Sequence, residues 1–556
     1  MKKTAVFAAA ALFLFTAAAL PSPAAGPSLA PLNPAFLRDR ALPGGGEAEL
    51  RRSVFFAGER RPSGKRPSPL NLDHLRGRGE TVRYLAARTF REDAAFPSRF
   101  DLREQGKLSP IRDQDPYGTC WTFAAMAALE SPLLPGETAD FSEWHLAYWA
   151  HNDTPDGFPA FTVYDGVGLF DQGGDDWKAM AVLARGTGPV NESDLPYGGP
   201  LPSEKPRLPR QKLLTSALYM PYPAVEIWRD GYPYLAVEEV KDALMNRGAV
   251  SIGMMADFNE DTWNGETGAF FYSGPRGANH AVNIVGWDDH FPRERFATRP
   301  AGDGAWIVRN SWGTSFGEAG YFYMSYEDTS LDSGIVYLAS PAGEYGIIHQ
   351  YDPLGWIRSV SPLETPAAGT PAWMANVFTT EESQVLRAVS FYVPDYGTEY
   401  EITIGVLSGP TPADKESMPL RGQRGVLEKP GYHTVALGKQ VYLPRGTRFS
   451  VEVKVTAPEY GYPLPVEAPV AGYSDRASAE PGQSFCSADG ETWIDLTGGV
   501  PGGNFCLKAL GAGEESGGCT TGAPSLSAVL LLAPFGLVLI RKGRSRCRGK
   551  KQDRAR

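Results

Sequence analysis

Apolar and polar positions divide the chain into four textures. Thr4 to Leu20 is a charge-free apolar run behind Lys2 and Lys3, and Pro/Ala-rich residues follow it. This order predicts a secretory signal peptide over residues 1–25. Residues 26–95 follow neither a helical nor a strand period. They are rich in Pro, Gly and Arg, as in Arg60-Arg61-Pro62-Ser63-Gly64-Lys65-Arg66, and read as an irregular leader. A propeptide lying across an active site and a plain spacer both fit that composition.

From Phe96 to about residue 340 helical and strand patterns mix. Cys120 to Glu130 is Ala/Leu-rich and favours a helix. Val237, Val240, Ala243 and Leu244 recur at helical spacing. Ala281 to Trp287 and Ala305 to Val308 read as strands. After Tyr345 short β-rich runs recur between Gly, Pro and Asp turns, at Val385–Val393, Tyr400–Leu407, Arg448–Val455 and Gly503–Ala509. Tyr400 to Val406 and Phe449 to Val455 alternate, which predicts a β-sandwich over 345–510. The expected fold class is therefore α+β over 96–340, followed by an all-β sandwich.

The last texture is residues 511–556. Residues 523–540 form an apolar run of 18 residues, just long enough to cross a bilayer. Arg541 to Arg556 then holds nine Lys/Arg and one Asp. The positive-inside rule keeps such a tail cytoplasmic and the bulk of the chain outside, tethered at the surface.

Length and charge narrow the classes. A chain of 556 residues allows two or three domains plus tails. Its net charge of −10 arises despite the basic tail, which disfavours nucleic acid as a partner. Asp and Glu show no metal-ligand spacing, and no cofactor is expected.

The cysteines carry the chemistry. Cys120 is the only one in the first 485 residues, in Gln114-Asp-Pro-Tyr-Gly-Thr-Cys120-Trp121. Exported chains normally pair their cysteines, so a lone thiol at a helix start suggests reactivity. A helix N-terminus and a nearby imidazolium lower a thiol pKa. His280 opens an apolar strand, and Asn310, after the next apolar strand, can orient its ring without adding charge. Trp312 can cover that bond. The Cys120 N–H and the Gln114 side chain would bind an oxyanion. Cys486 and Cys506, 20 residues apart, would be permitted a disulfide outside the cell, worth about 3 kcal/mol.

These residues resemble the papain family of cysteine proteases. The resemblance runs from Asp101 to Gln114, through Cys120-Trp121 and His280-Ala-Val, to Asn310-Ser-Trp-Gly. It covers about residues 96–340 and implies a two-lobed fold, one lobe helical and one β-barrel-like. It also implies roles: Cys120 as nucleophile, His280 as acid/base, Asn310 as orienter and Gln114 as oxyanion donor. Gly173 and Gly174 fall where the family binds extended substrate backbone, and Trp312 is grouped with them. Tyr117 replaces the family's bridge-forming cysteine, and Phe316 replaces a Trp. The β-rich region is similar to the lectin-like domain of bacterial papain-like proteins. Residues 511–556 resemble a Synerg-CTERM sorting tag, with Cys519 as its processing point.

The expectation is an exported, surface-tethered cysteine endopeptidase acting on proteins or peptides. Its alternative is an adhesin that reuses the protease scaffold and binds cell-surface glycans. A Cys/His cell-wall amidase fits the Gln–Cys and Asn-Ser-Trp-Gly contexts less well.

Overall fold

The computed structural model describes residues 26–41, 54–56, 59–75, 96–201, 208–221 and 234–513. The expected signal peptide, the apolar run 523–540 and Cys519 lie outside the described residues. Among the described residues no helix is long and apolar enough to cross a membrane.

Cys120–Glu130 is a helix whose every residue is buried. Polar backbone inside a core must be hydrogen-bonded, and a helix satisfies its own. The helix packs on the strand His280–Asp288, where the Asn283 side-chain amide donates to the Ala124 carbonyl at 2.8 Å. Around it Trp121, Met126, Leu129 and Trp144 join the helix Asp176–Ala184 in one apolar cluster. A second cluster gathers Trp287, Trp306, Trp312 and Phe322 with the helix Tyr234–Arg247.

The strand His280–Asp288 lies antiparallel between Val250–Met254 and Ala305–Arg309, with Met254 opposite His280 and Asn283 opposite Arg309. All nine residues but the last are buried, so the mostly apolar strand holds its polar Asn283 only with the amide bonded to Ala124. The register brings the first residue of one strand beside the residue that follows the other.

The β-rich region forms two facing antiparallel layers. One has the order Lys415–Leu427, Thr398–Leu407, Arg448–Thr456, Ala372–Thr379, Ser484–Ser487, Ile494–Asp495. The other contains Gln384–Val393, Gly431–Leu443 and Leu507–Gly513. Phe391, Ile402, Ile404, Phe449 and Val453 fill the space between them. The two expected regions share a sheet, which the sequence did not suggest. Gly431, Tyr432 and His433 pair antiparallel with Leu218, Ala217 and Ser216 of the strand Lys212–Pro221.

Two further findings differ from expectation. Cys486 and Cys506 are free thiols, not a disulfide. Cys486 is buried between the layers opposite Met374 and Ile494, whereas Cys506 belongs to the cluster around the Cys120 helix. Their side chains serve different cores, so closeness in sequence does not bring them together. The described stretches of the leader also hold more regular structure than their composition implied. Ser28 and Leu29 add a strand to Arg358–Ser361, and Phe36 packs edge-on against Tyr473.

Candidate active site

Cys120 is the first residue of its helix and has no exposed surface. His280 opens its strand, and its Nε2 lies 2.8 Å from the Asn310 side-chain oxygen. With Nε2–H donating there, Nδ1 is the basic nitrogen. It has no polar partner among the described residues, which leaves it available to a thiol proton. Trp312 stacks on the imidazole with centroids 4.7 Å apart, shielding the His280–Asn310 bond from water.

Ser311 joins two predicted residues, and sequence reasoning missed it. Its N–H donates to the Asn310 side-chain oxygen at 2.8 Å, and its hydroxyl donates to Gln114 Oε1 at 2.7 Å. The Gln114 N–H in turn donates to the Ser311 carbonyl at 2.9 Å. Gln114 Nε2 donates to the Tyr117 carbonyl at 2.9 Å, a group that can only accept, and this fixes which end of the Gln114 amide is the donor. The place of Ser311 beside Asn310 in Asn-Ser-Trp-Gly was the available signal.

Gly173 and Gly174 precede the helix Asp176–Ala184, which Asp175 caps through the Trp177 and Lys178 amides. A β-carbon on Gly174 would lie 2.5 Å from the Trp121 ring, so only glycine lets the backbone lie against that ring.

The leader runs past this backbone. Residues 62–66 run along the site. The Gly174 N–H donates to the Gly64 carbonyl and the Arg66 N–H to the Gly174 carbonyl, both at 2.8 Å. The Lys65 N–H donates to the Asn279 carbonyl at 3.0 Å, next to His280. Gln114 Nε2, the expected oxyanion donor, donates to the Pro62 carbonyl at 3.3 Å. Together these bonds fill the groove beside Cys120 with backbone from the same chain.

The titrating pair reflects this cover. Burial pushes the Cys120 thiol up to about 11, against hydrogen bonds from the Ala281 and Gly64 backbones and the Lys65 charge. Burial pushes His280 down to about 4, against the Asn310 bond, and the Lys65 charge adds to the lowering. The sequence led us to expect a depressed thiol pKa. With the leader in place desolvation outweighs the helix terminus, and the pair is neutral thiol and neutral imidazole.

Residues 96–339 match the model of the papain family cysteine proteases, and residues 348–511 match the lectin-like domain. This segment is thus a papain-family cysteine peptidase domain, followed by a lectin-like β domain. The chain is 30% identical over 252 residues to the probable cysteine protease RDL6 of Arabidopsis thaliana, covering 44% of this chain and 60% of that protein. It is 27% identical over 250 residues to fruit bromelain of Ananas comosus, covering 44% and 59%. The chain thus spans less than two thirds of the length of these curated relatives.

Among solved structures, it is similar to the cysteine protease and lectin-like domains of Cwp84, a surface layer associated protein of Clostridium difficile. That likeness has a TM-score of 0.67 at 23% identity, covering 89% of this chain and 99% of that one. A clostridial Cwp84 variant after propeptide cleavage gives a TM-score of 0.62 at 25% identity, covering 75% and 100%.

Proposed function

We propose that the whole protein is an exported cysteine endopeptidase held latent by its leader. Cys120 attacks the scissile carbonyl as thiolate, after His280 Nδ1 takes its proton. The tetrahedral oxyanion is received by the Cys120 N–H and Gln114 Nε2. His280 then protonates the leaving amine, and activates the water that releases the acyl group from sulfur. The two apolar clusters are read as two lobes with the groove between them.

The observation that carries this reading is the His280–Asn310 bond beside the Cys120 helix, with leader backbone on the groove. The leader lies along the site at residues 62–66, held through backbone hydrogen bonds as an extended substrate would be. Residues 26–95 are accordingly read as an inhibitory propeptide, 96–340 as the protease and 345–510 as the lectin-like domain. Surface association is supported by the likeness to Cwp84, and tethering by the apolar run and basic tail of 511–556.

A thiol-directed epoxide probe tests the reading. Leader-cleaved protein should be labelled, uncut protein far less, and Cys120→Ala not at all. Folded, leader-cleaved protein that stays unlabelled would overturn it. The lectin-like match favours glycan binding as a second property of this chain, checked by a glycan array on the Cys120→Ala protein.

A further inference from the structure

The Lys65 side chain leaves the groove and enters a pocket that the chemistry above does not use. Its ammonium lies 2.9 Å from Asp176 Oδ2 and 3.0 Å from Asp332 Oδ2. Only 6% of the Lys65 side chain and 6% of the Asp176 side chain are exposed, whereas Asp332 is 35% exposed. Burial opposes the Lys65 charge, but the two carboxylates outweigh it and hold its pKa raised.

The protease domain builds this pocket without help from the leader. Asp176 Oδ1 accepts from the Ser251 hydroxyl at 2.6 Å and from Tyr337 at 3.3 Å. Asp332 Oδ1 accepts from the Gly253 N–H at 2.7 Å. Both carboxylates are therefore aimed by their own hydrogen bonds. Gly253 makes room for the aliphatic stem: a β-carbon there would lie 2.4 Å from Asp332 Oδ2 and 2.5 Å from Lys65 Cε.

The pocket adjoins the reacting groups. The Lys65 backbone is bridged to Gly174 and bonded to the carbonyl of Asn279, the residue before His280. A peptide laid along Gly174 would place one side chain in the same hole. An apolar side chain would desolvate two carboxylates without a counter-charge, and an acidic one would be repelled. A lysine supplies the charge and a stem of the observed length.

We propose that Asp176, Asp332 and Gly253 form a specificity pocket that selects a lysine side chain in the substrate, next to the bond that is cut. The leader occupies the pocket with Lys65 and so blocks selection as well as catalysis. The proposal rests on the reading of Cys120 as nucleophile.

The test uses leader-cleaved full chain and fluorogenic peptides that differ at one position: lysine, norleucine or glutamate. Rates are normalised to the Cys120 labelled by iodoacetamide. Peptides with lysine should have kcat/KM about 10–100-fold above norleucine, with glutamate lower still. Asp332→Leu should shrink or invert the lysine-to-norleucine ratio, and Gly253→Ala should lower the lysine rate most. Equal rates for lysine and norleucine, or an unchanged ratio in Asp332→Leu, would overturn the pocket while leaving the protease reading intact. Absence of Cys120 labelling, with no peptide cleaved, would overturn the protease reading and the pocket with it.

Discussion

Gly64 of the leader presses against Gly118, two residues before Cys120, so closely that a β-carbon on Gly64 would sit 1.9 Å from the Gly118 carbonyl oxygen. The obstructing atom is backbone at the turn into the Cys120 helix and cannot swing aside. Gly64→Ala should therefore unseat the leader without touching the protease. Overpacking of this kind costs 1–3 kcal/mol, so epoxide labelling of the uncut chain should rise about 10-fold. Labelling equal to that of the uncut wild type would show that the contact does not hold the leader.

Acid should loosen the same contact. His280 is held down to about 4 by burial in the covered state, from an ordinary value of 6.5. A base whose pKa is depressed keeps its stabilising neutral form above the ordinary value and loses that advantage as pH falls toward the depressed one. Uncovering the groove removes the Lys65 charge and admits water to the ring face that Trp312 does not cover, so the open state binds the proton more tightly. The groups facing His280 are Cys120, neutral with its pKa pushed up to about 11, together with Lys65 and Asn310. Leader seating should weaken between about pH 6.5 and 4. Amide exchange at residues 64–66 in Cys120→Ala protein, corrected for intrinsic rates, reads this directly. Protection that holds or grows on acidification contradicts it.

Gln114 and Asn310 should fail in different ways. Gln114→Ala removes a donor needed only when the oxyanion forms, so kcat of leader-free protein should fall about 10²–10³-fold with KM little changed. Asn310→Ala removes the 2.8 Å bond that fixes the imidazole, and should lower kcat and flatten the alkaline-side definition of the pH–rate profile. A Gln114→Ala effect confined to KM would remove it from the oxyanion site.

The lectin-like region reaches the site through Tyr473. Its hydroxyl donates to the buried Asp175 carboxylate, at 2.8 and 3.0 Å from the two oxygens, and Asp175 caps the helix that begins with Asp176. Tyr473→Phe leaves that carboxylate one donor short and should cost about 1.5–3 kcal/mol in urea unfolding. An unchanged midpoint would mean that the hydroxyl bond contributes nothing to the join.

The meeting of His280 and Asn310 beside the Cys120 helix was legible because each residue sits in a local pattern: Cys120 opening an Ala-rich helix, His280 at the start of one apolar strand and Asn310 just after another. The leader's position was not, because residues 62–66 are held largely by backbone hydrogen bonds to Asn279 and Gly174, which leave no periodic side-chain signature. Asp332 was hidden for another reason. It lies among the acidic residues of Asp328-Thr-Ser-Leu-Asp332, and only folding sets it beside Asp176, 156 positions away. The thiols of Cys486 and Cys506 show the reverse error, where short separation and compartment suggested a bridge that the packing of two cores does not make.

The pairing of Tyr432 with Ala217 has a consequence for where such an enzyme can cut. Two modules on a flexible tether explore a volume set by tether length, and whatever one grips, the other can sweep around it. Here a hydrogen-bonded ladder replaces the tether, and it does not involve the leader. Removal of the leader would therefore uncover the groove without freeing its bearing. A ligand held by the lectin-like face would meet the groove at one fixed distance and angle, so reach would be set by geometry on the target rather than by motion of the enzyme.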